Sequence, residues 1–167
     1  MGVDKVTVAG GVRKGQNLVV TGEVLLGDFV SLWHNVVVRG DVEPIRIGKE
    51  TNIQDNTVIH GQLGLFDVTI GEKVSVGHNC IIHGCEIGSY SFIGMGSIIM
   101  NGVRLGERVF VAAGSLVPEN YSFEEKNTLL MGRPAKPIRK LREKEVEIML
   151  DTPRRYVEYA KKWLSPF

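Results

Sequence analysis

The feature that most constrains this chain is a ladder of aliphatic residues spaced six apart. It runs Leu26, Leu32, Val38, Ile47, Ile53, Ile59, Ile70, Val76, Ile82, Ile87, Ile93, Ile99, Leu105, Val111 and Val117. The step is nine after Val38, eleven after Ile59, five after Ile82 and six everywhere else. A helix repeats every 3.6 residues and a strand every two, so neither produces this period. Short strands with a corner after each one do, and a hexapeptide period is a known signature of β-helices. In most units a second small or β-branched residue follows four places after the anchor, as at Val30, Val36, Thr51, Thr57, Val74, Cys80, Ser91 and Ser97.

Glycine supports the same reading. The chain has 20 glycines in 167 residues, about 12% against a usual ~7%. They recur directly after the anchor, at Gly27, Gly48, Gly71, Gly77, Gly88, Gly94 and Gly106. One register repeatedly given to glycine marks a backbone position near a corner that penalises a Cβ. Three hexapeptides per turn then make a triangular prism, with anchors inside and coils one strand spacing apart, ~4.8 Å. The expected fold is mainly β, a parallel β-helix over residues 1–132.

Residues 133–167 differ in composition. The first 132 residues hold 10 basic and 14 acidic side chains; the remainder holds 10 basic and 5 acidic. The near-zero total, +1, gives no overall pull toward nucleic acid or an anionic membrane. Helix-forming residues predict one helix over 139–150 and a second opened by Pro153, a favoured first-turn residue, running to about Leu164. Tyr156, Val157, Ala160, Trp163 and Leu164 share one face of it. No apolar run reaches the ~20 residues of a membrane span. The first residues lack the pattern of a leader, and two cysteines are too few for a disulfide framework. A cytoplasmic protein with reduced thiols is expected.

Candidate chemistry sits where the repeat is broken. Counting faces one, two, three from Leu26, the residues after the first three face-three anchors are Arg39, His60 and His83 instead of glycine. Coil stacking puts His60 about one strand spacing from His83, close to what two ligands of one metal ion need. The long steps after Val38 and Ile59 are expected to bulge as loops beside this corner. His78 follows the face-two anchor Val76 and lies at the far end of the preceding face. It meets the other two only if a second subunit packs alongside. Three neutral imidazoles with an open position make a catalytic rather than a closed zinc site, and such an ion brings the pKa of its water to near neutrality. His34 reads as a surface or packing residue, Cys80 as core, and Cys85 as packing near the site.

The segments Val38-Arg-Gly-Asp-Val-Glu-Pro-Ile-Arg-Ile-Gly, Asn52-Ile-Gln-Asp-Asn-Thr-Val-Ile-His60-Gly, Ile70-Gly-Glu-Lys-Val-Ser-Val-Gly-His78-Asn-Cys-Ile-Ile-His83-Gly and Met131-Gly-Arg-Pro-Ala-Lys resemble the γ-class carbonic anhydrase family. The match in pattern spans about Val20 to Leu141. The resemblance implies a left hand for the β-helix and a homotrimer with active sites shared between neighbouring subunits. It implies reversible hydration of CO2 to bicarbonate by hydroxide on a metal, Zn2+ or in its place Fe2+ or Co2+. His60 and His83 would come from one chain and His78 from its neighbour. Arg39 and Asp41 would form an ion pair bordering the site, Gln54 would orient water or bicarbonate, and Asp55 would support the interface. Asn52 is a candidate for substrate contact, and Tyr156 for reaching a neighbouring site.

Two departures stand out. The family archetype exports protons through acidic side chains where this chain has Val42 and the segment Gln62-Leu-Gly-Leu-Phe; Glu43 is one residue displaced. Two other classes remain beside the hydratase. One is a hexapeptide acyltransferase or thioesterase acting on a CoA-like substrate, which needs a histidine free as general base. The other is a metal-stabilised trimeric scaffold without turnover.

Overall fold

The computed structural model describes residues 4–167; Met1–Val3, where the reading for a leader begins, lie outside them. The chain winds as a parallel β-helix of about seven turns. Residues predicted to stack do so in register. Face one pairs Leu26 with Ile47, Ile47 with Ile70, Ile70 with Ile87 and Ile87 with Leu105. Face two pairs Leu32, Ile53, Val76, Ile93 and Val111 in succession. Face three pairs Val20, Val38, Ile59, Ile82, Ile99 and Val117. Every anchor from Leu26 to Val117 is at most 2% exposed, so each contributes roughly 1.5–3 kcal/mol of burial.

The second inward slot is also buried, and its hydroxyls are satisfied. Thr51 Oγ1 donates to the Gly71 carbonyl at 2.9 Å and Thr57 Oγ1 to the Gly77 carbonyl at 3.0 Å. A small hydroxyl therefore fills an inward position without leaving an unpaired polar group.

Glycine and the corner conformation turn out to be separate devices. A Cβ on Gly48 would sit 2.5 Å from the Gly71 carbonyl carbon, and one on Gly71 would sit 2.6 Å from the Ser89 nitrogen. The residue after the anchor is glycine because the next coil passes there. The left-handed residue comes two places later. At the corner after face two it is Asn35, Asn56 and Asn79, with φ of 57°, 61° and 57°. Asparagine tolerates that region, and Asn35 Nδ2 donates to Asn56 Oδ1 at 3.1 Å along the stack.

The nine-residue step after Val38 bulges as expected: Val37–Ile47 is a single strand, but residues 41–44 have no ladder partner and stand opposite Glu23 alone, a register shift between Gly22 and Val24. Two expectations need correction. Residues 133–140 are not helical. Ala135–Lys140 folds back antiparallel on Thr128–Gly132, closing the last coil. The two predicted helices are one, Glu143–Trp163, with Pro153 inside it. An interior proline costs about 3 kcal/mol. Burial of Met149, Thr152, Pro153 and Ala160 offsets that cost. The helix packs against face two, at Arg13–Lys14, Ser31–Leu32, Asn52–Ile53 and Ser75–Val76. Among the described residues no helix is long and apolar enough to cross a membrane.

Candidate metal centre

The edge between faces three and one differs from the glycine edge between faces one and two. Here the strands run through the residue after the anchor, so Arg39 pairs with His60 and His60 with His83 in the ladder itself. Alternation turns Ile59 and Ile82 inward and His60 and His83 outward. The two imidazole centroids are 5.2 Å apart, the spacing that the repeat implies.

His60 Nδ1 and His83 Nε2 face each other at 3.2 Å. The outer nitrogens each face an acceptor: His60 Nε2 lies 3.0 Å from Asp41 Oδ1, and His83 Nδ1 lies 2.6 Å from Asn101 Oδ1. If both outer nitrogens donate, two lone pairs converge between the rings. That arrangement suits a cation; with Arg39 Nη2 donating to His60 Nε2 instead, His60 Nδ1 carries the proton toward His83. Tetrahedral zinc with bonds of ~2.0–2.1 Å keeps its nitrogen ligands roughly 3.3 Å apart, close to the separation present. Arg39 Nη1 donates to Asp41 Oδ2 at 3.0 Å, and Arg39 Nη2 lies 3.1 Å from His60 Nε2. The guanidinium thus holds the carboxylate that faces His60.

The edge between faces two and three carries the remaining residues. Asp55 and His78 occupy equivalent positions in adjacent coils, and His78 Nδ1 donates to Asp55 Oδ2 at 2.8 Å. This leaves Nε2 as the lone-pair nitrogen of a side chain that is 45% exposed. Gln54 Nε2 donates to Asn52 Oδ1 at 3.1 Å, and Asn52 Nδ2 donates to Ser75 Oγ at 2.8 Å. Asn52 is 1% exposed, so it supports Gln54 from within. Tyr156 meets Trp33 edge-on, with centroids 5.3 Å apart. Burial, then the nearby Asp55 carboxylate and Tyr159, raise its phenol above the ordinary value, so it stays protonated and able to donate.

One prism face, roughly 15 Å of strand at ~3.3 Å per residue, separates the two edges. Among the described residues no three His, Cys, Asp or Glu side chains of one protomer are grouped to hold a metal ion. His60 and His83 are together; His78 is not with them. Glu43 is tied to the insertion after His60, where its Oε1 accepts the Gly64 N–H at 2.6 Å. His34 Nδ1 accepts from the Gln16 N–H at 2.9 Å. Cys80 and Cys85 are buried free thiols; burial pushes Cys80 up to about 11 and Cys85 higher still, so neither is a ready nucleophile.

Asn101 escaped the sequence reading. Its signal was the shortened step after Ile82, which removes one residue beside His83. Asn101 then lies against His83 from the coil above.

Comparisons with known proteins agree with this frame. A family model described as bacterial transferase hexapeptide (six repeats) matches residues 84–119. The probable carbonic anhydrase of Methanocaldococcus jannaschii is 43% identical over 150 residues, covering 90% of this chain and 93% of its own. Protein YrdA of Escherichia coli is 45% identical over 153 residues, 88% of this chain and 83% of its own. The crystal structure of a hexapeptide transferase family protein from Anaplasma phagocytophilum superposes with a TM-score of 0.90 at 36% identity, covering 95% of this chain and 93% of that one. The fold is the left-handed parallel β-helix with one C-terminal helix. The chain belongs to the γ-class carbonic anhydrase family of hexapeptide-repeat proteins.

Proposed function

We propose that this protein is a metal-dependent carbonic anhydrase, hydrating CO2 reversibly to bicarbonate at sites shared between the subunits of a homotrimer. The observation that carries the reading lies on face three. Its outward residues form an apolar stripe in which Val19, Val58 and Ile81 are 44%, 38% and 43% exposed. One edge of that face bears His78 and the other bears His60 and His83. Packing the stripe of one subunit beside the next buries it and brings His78 of one chain to His60 and His83 of another.

His60, His83 and the neighbour's His78 would hold the ion, Zn2+ or in its place Fe2+ or Co2+. Such an ion supplies a nucleophile from water near neutral pH and polarises a carbonyl oxygen. This chain's own residues do the rest. Asp41 and Asp55 orient His60 and His78 through their outer nitrogens. Arg39 holds Asp41 and borders the site. Gln54, fixed by Asn52, presents its amide to water or bicarbonate. Asp55 also ties His78 to the subunit interface, and Tyr156 donates from the same edge. The protein acts in the cytoplasm, where its two thiols stay reduced.

The engagement of Glu43 by Gly64 favours slow turnover as a second reading. With Val42 and the segment Gln62-Leu-Gly-Leu-Phe in place of the archetype's acids and Glu43 held by the loop, external buffer exports the proton. The test is metal analysis of anaerobically purified trimer with stopped-flow CO2 hydration across buffer concentrations. One ion per subunit and a rate that rises with buffer are expected, and His78→Ala should lose the metal while remaining folded. Full metal occupancy in His78→Ala would sink the shared site. Bound metal without hydration at any buffer concentration would leave the scaffold or the thioester chemistry.

A further inference from the structure

Each of the three histidines has an acceptor behind it, but the three are not alike. His60 has Asp41 and His78 has Asp55, both carboxylates that can only accept. His83 has Asn101, an amide that can present either its oxygen or its NH2. If the NH2 faced His83, the ring would carry its proton on Nε2, and the lone pair opposite His60 would be lost. The orientation of Asn101 therefore decides whether the pair is fit for a cation.

That orientation has its own support. Asn101 Nδ2 donates to Gln62 Oε1, which occupies the donor end of the amide and turns the oxygen toward His83. The backbone of Gln62 is held in place. It closes the base of the insertion after His60: its N–H donates to the Phe66 carbonyl at 2.8 Å, and its carbonyl accepts from Leu65 at 3.0 Å and Phe66 at 3.1 Å. Glu43 Oε1 clasps the tip of the same loop through the Gly64 N–H at 2.6 Å. A contact runs from the insertion through Gln62 and Asn101 to the outer nitrogen of His83.

We propose that Asn101 and Gln62 are positioning residues that fix the tautomer of His83, and that the insertion after His60 exists in part to hold Gln62 there. The proposal rests on the metal-site reading for its consequence but not for its geometry. Orienting groups of this kind are worth 10–100-fold in metal affinity. An amide serves here without adding a third negative charge to a site that already has Asp41 and Asp55 behind its ligands.

Two measurements test it on the full-length protein. Long-range 1H–15N correlation spectra of the metal-free protein should show His83 protonated on Nδ1. Asn101→Ala should shift it toward Nε2 protonation. Chelator competition should show Zn2+ affinity falling 10–100-fold in Asn101→Ala and by a smaller factor in Gln62→Ala. Asn101→Asp restores an acceptor and should hold affinity within a few-fold of the parent. Thermal unfolding of each variant separates loss of fold from loss of ligation. An Asn101→Ala protein that keeps both the Nδ1–H tautomer and parental Zn2+ affinity overturns the proposal. If the parent itself binds no Zn2+, the metal-site reading fails, while the tautomer spectra still decide this one.

Discussion

Two edges of one prism obey opposite rules. On the edge between faces one and two, the residue after the anchor is glycine in coil after coil, because the neighbouring backbone leaves no room for a Cβ. On the edge between faces three and one, the same register holds Arg39, His60 and His83. There the strands continue through the corner, so the side chains leave the ladder outward in place of meeting the next coil. The comparison teaches that a repeat fold makes room for chemistry by lengthening a strand. The core anchors on both edges are equally buried, so the site costs little packing.

The largest expected effect comes from placing a side chain on the wrong edge. Gly48→Val would drive a branched residue into the Gly71 backbone, 2.5 Å from the first added atom. Backbone cannot yield as a flexible side chain would, so about 3 kcal/mol or more of stability is lost, an unfolding midpoint lower by ~6–12 °C. His60→Gly, at the same register on the other edge, should move the midpoint by only a few degrees. Circular dichroism melts of the two variants read this directly, and equal midpoints would break the comparison.

The next effect separates folding from assembly. Ile81→Glu puts a charge into the exposed stripe of face three while its neighbour Ile82 stays in the core. On the proposed shared site, the variant should remain a folded β-helix, turn from trimer to monomer by light scattering, and lose metal because His78 no longer reaches His60 and His83 of the neighbour. A trimeric Ile81→Glu protein would show that face three is not the interface.

The smallest effect lies off both edges, where the closing hairpin meets the helix. Arg139 grips Glu145 with two bonds of 2.7 Å, and the Arg142 N–H adds a third. These hold the Glu145 carboxyl down to about 2, from an ordinary value of 4.5. The folded state therefore gives up this proton more readily than the unfolded chain does. Its contribution stands in full above about pH 4.5 and fades as the pH falls toward 2. Glu145→Gln should lower the midpoint by a few degrees at pH 7 and leave it unchanged near pH 2. An equal loss at both values would mean that the ion pair carries none of the acid dependence.

Much of this was legible in advance because a β-helix is close to one-dimensional. Fixing the period fixes which residues stack, so the pairing of Ile59 with Ile82, and hence of His60 with His83, follows from counting. Pro153 was not legible, because its place inside the helix depends on what the helix packs against, not on local propensity. Asn101 was not legible either. The shortened step marks the place, but the direction of its amide toward His83 shows only in the folded coils.

The sequence by itself determined the register from Leu26 to Val117, the buried anchors and the family, because these depend on spacing along the chain. Only the tertiary structure decided what lies on which edge. It set His78 one face away from His60 and His83, spent Glu43 on the loop, and placed an acceptor behind each of these three histidines. The physical reason is direction. Spacing says which residues are neighbours, whereas hydrogen bonds between side chains depend on where each polar atom points, and that is settled only when the coils have closed around them.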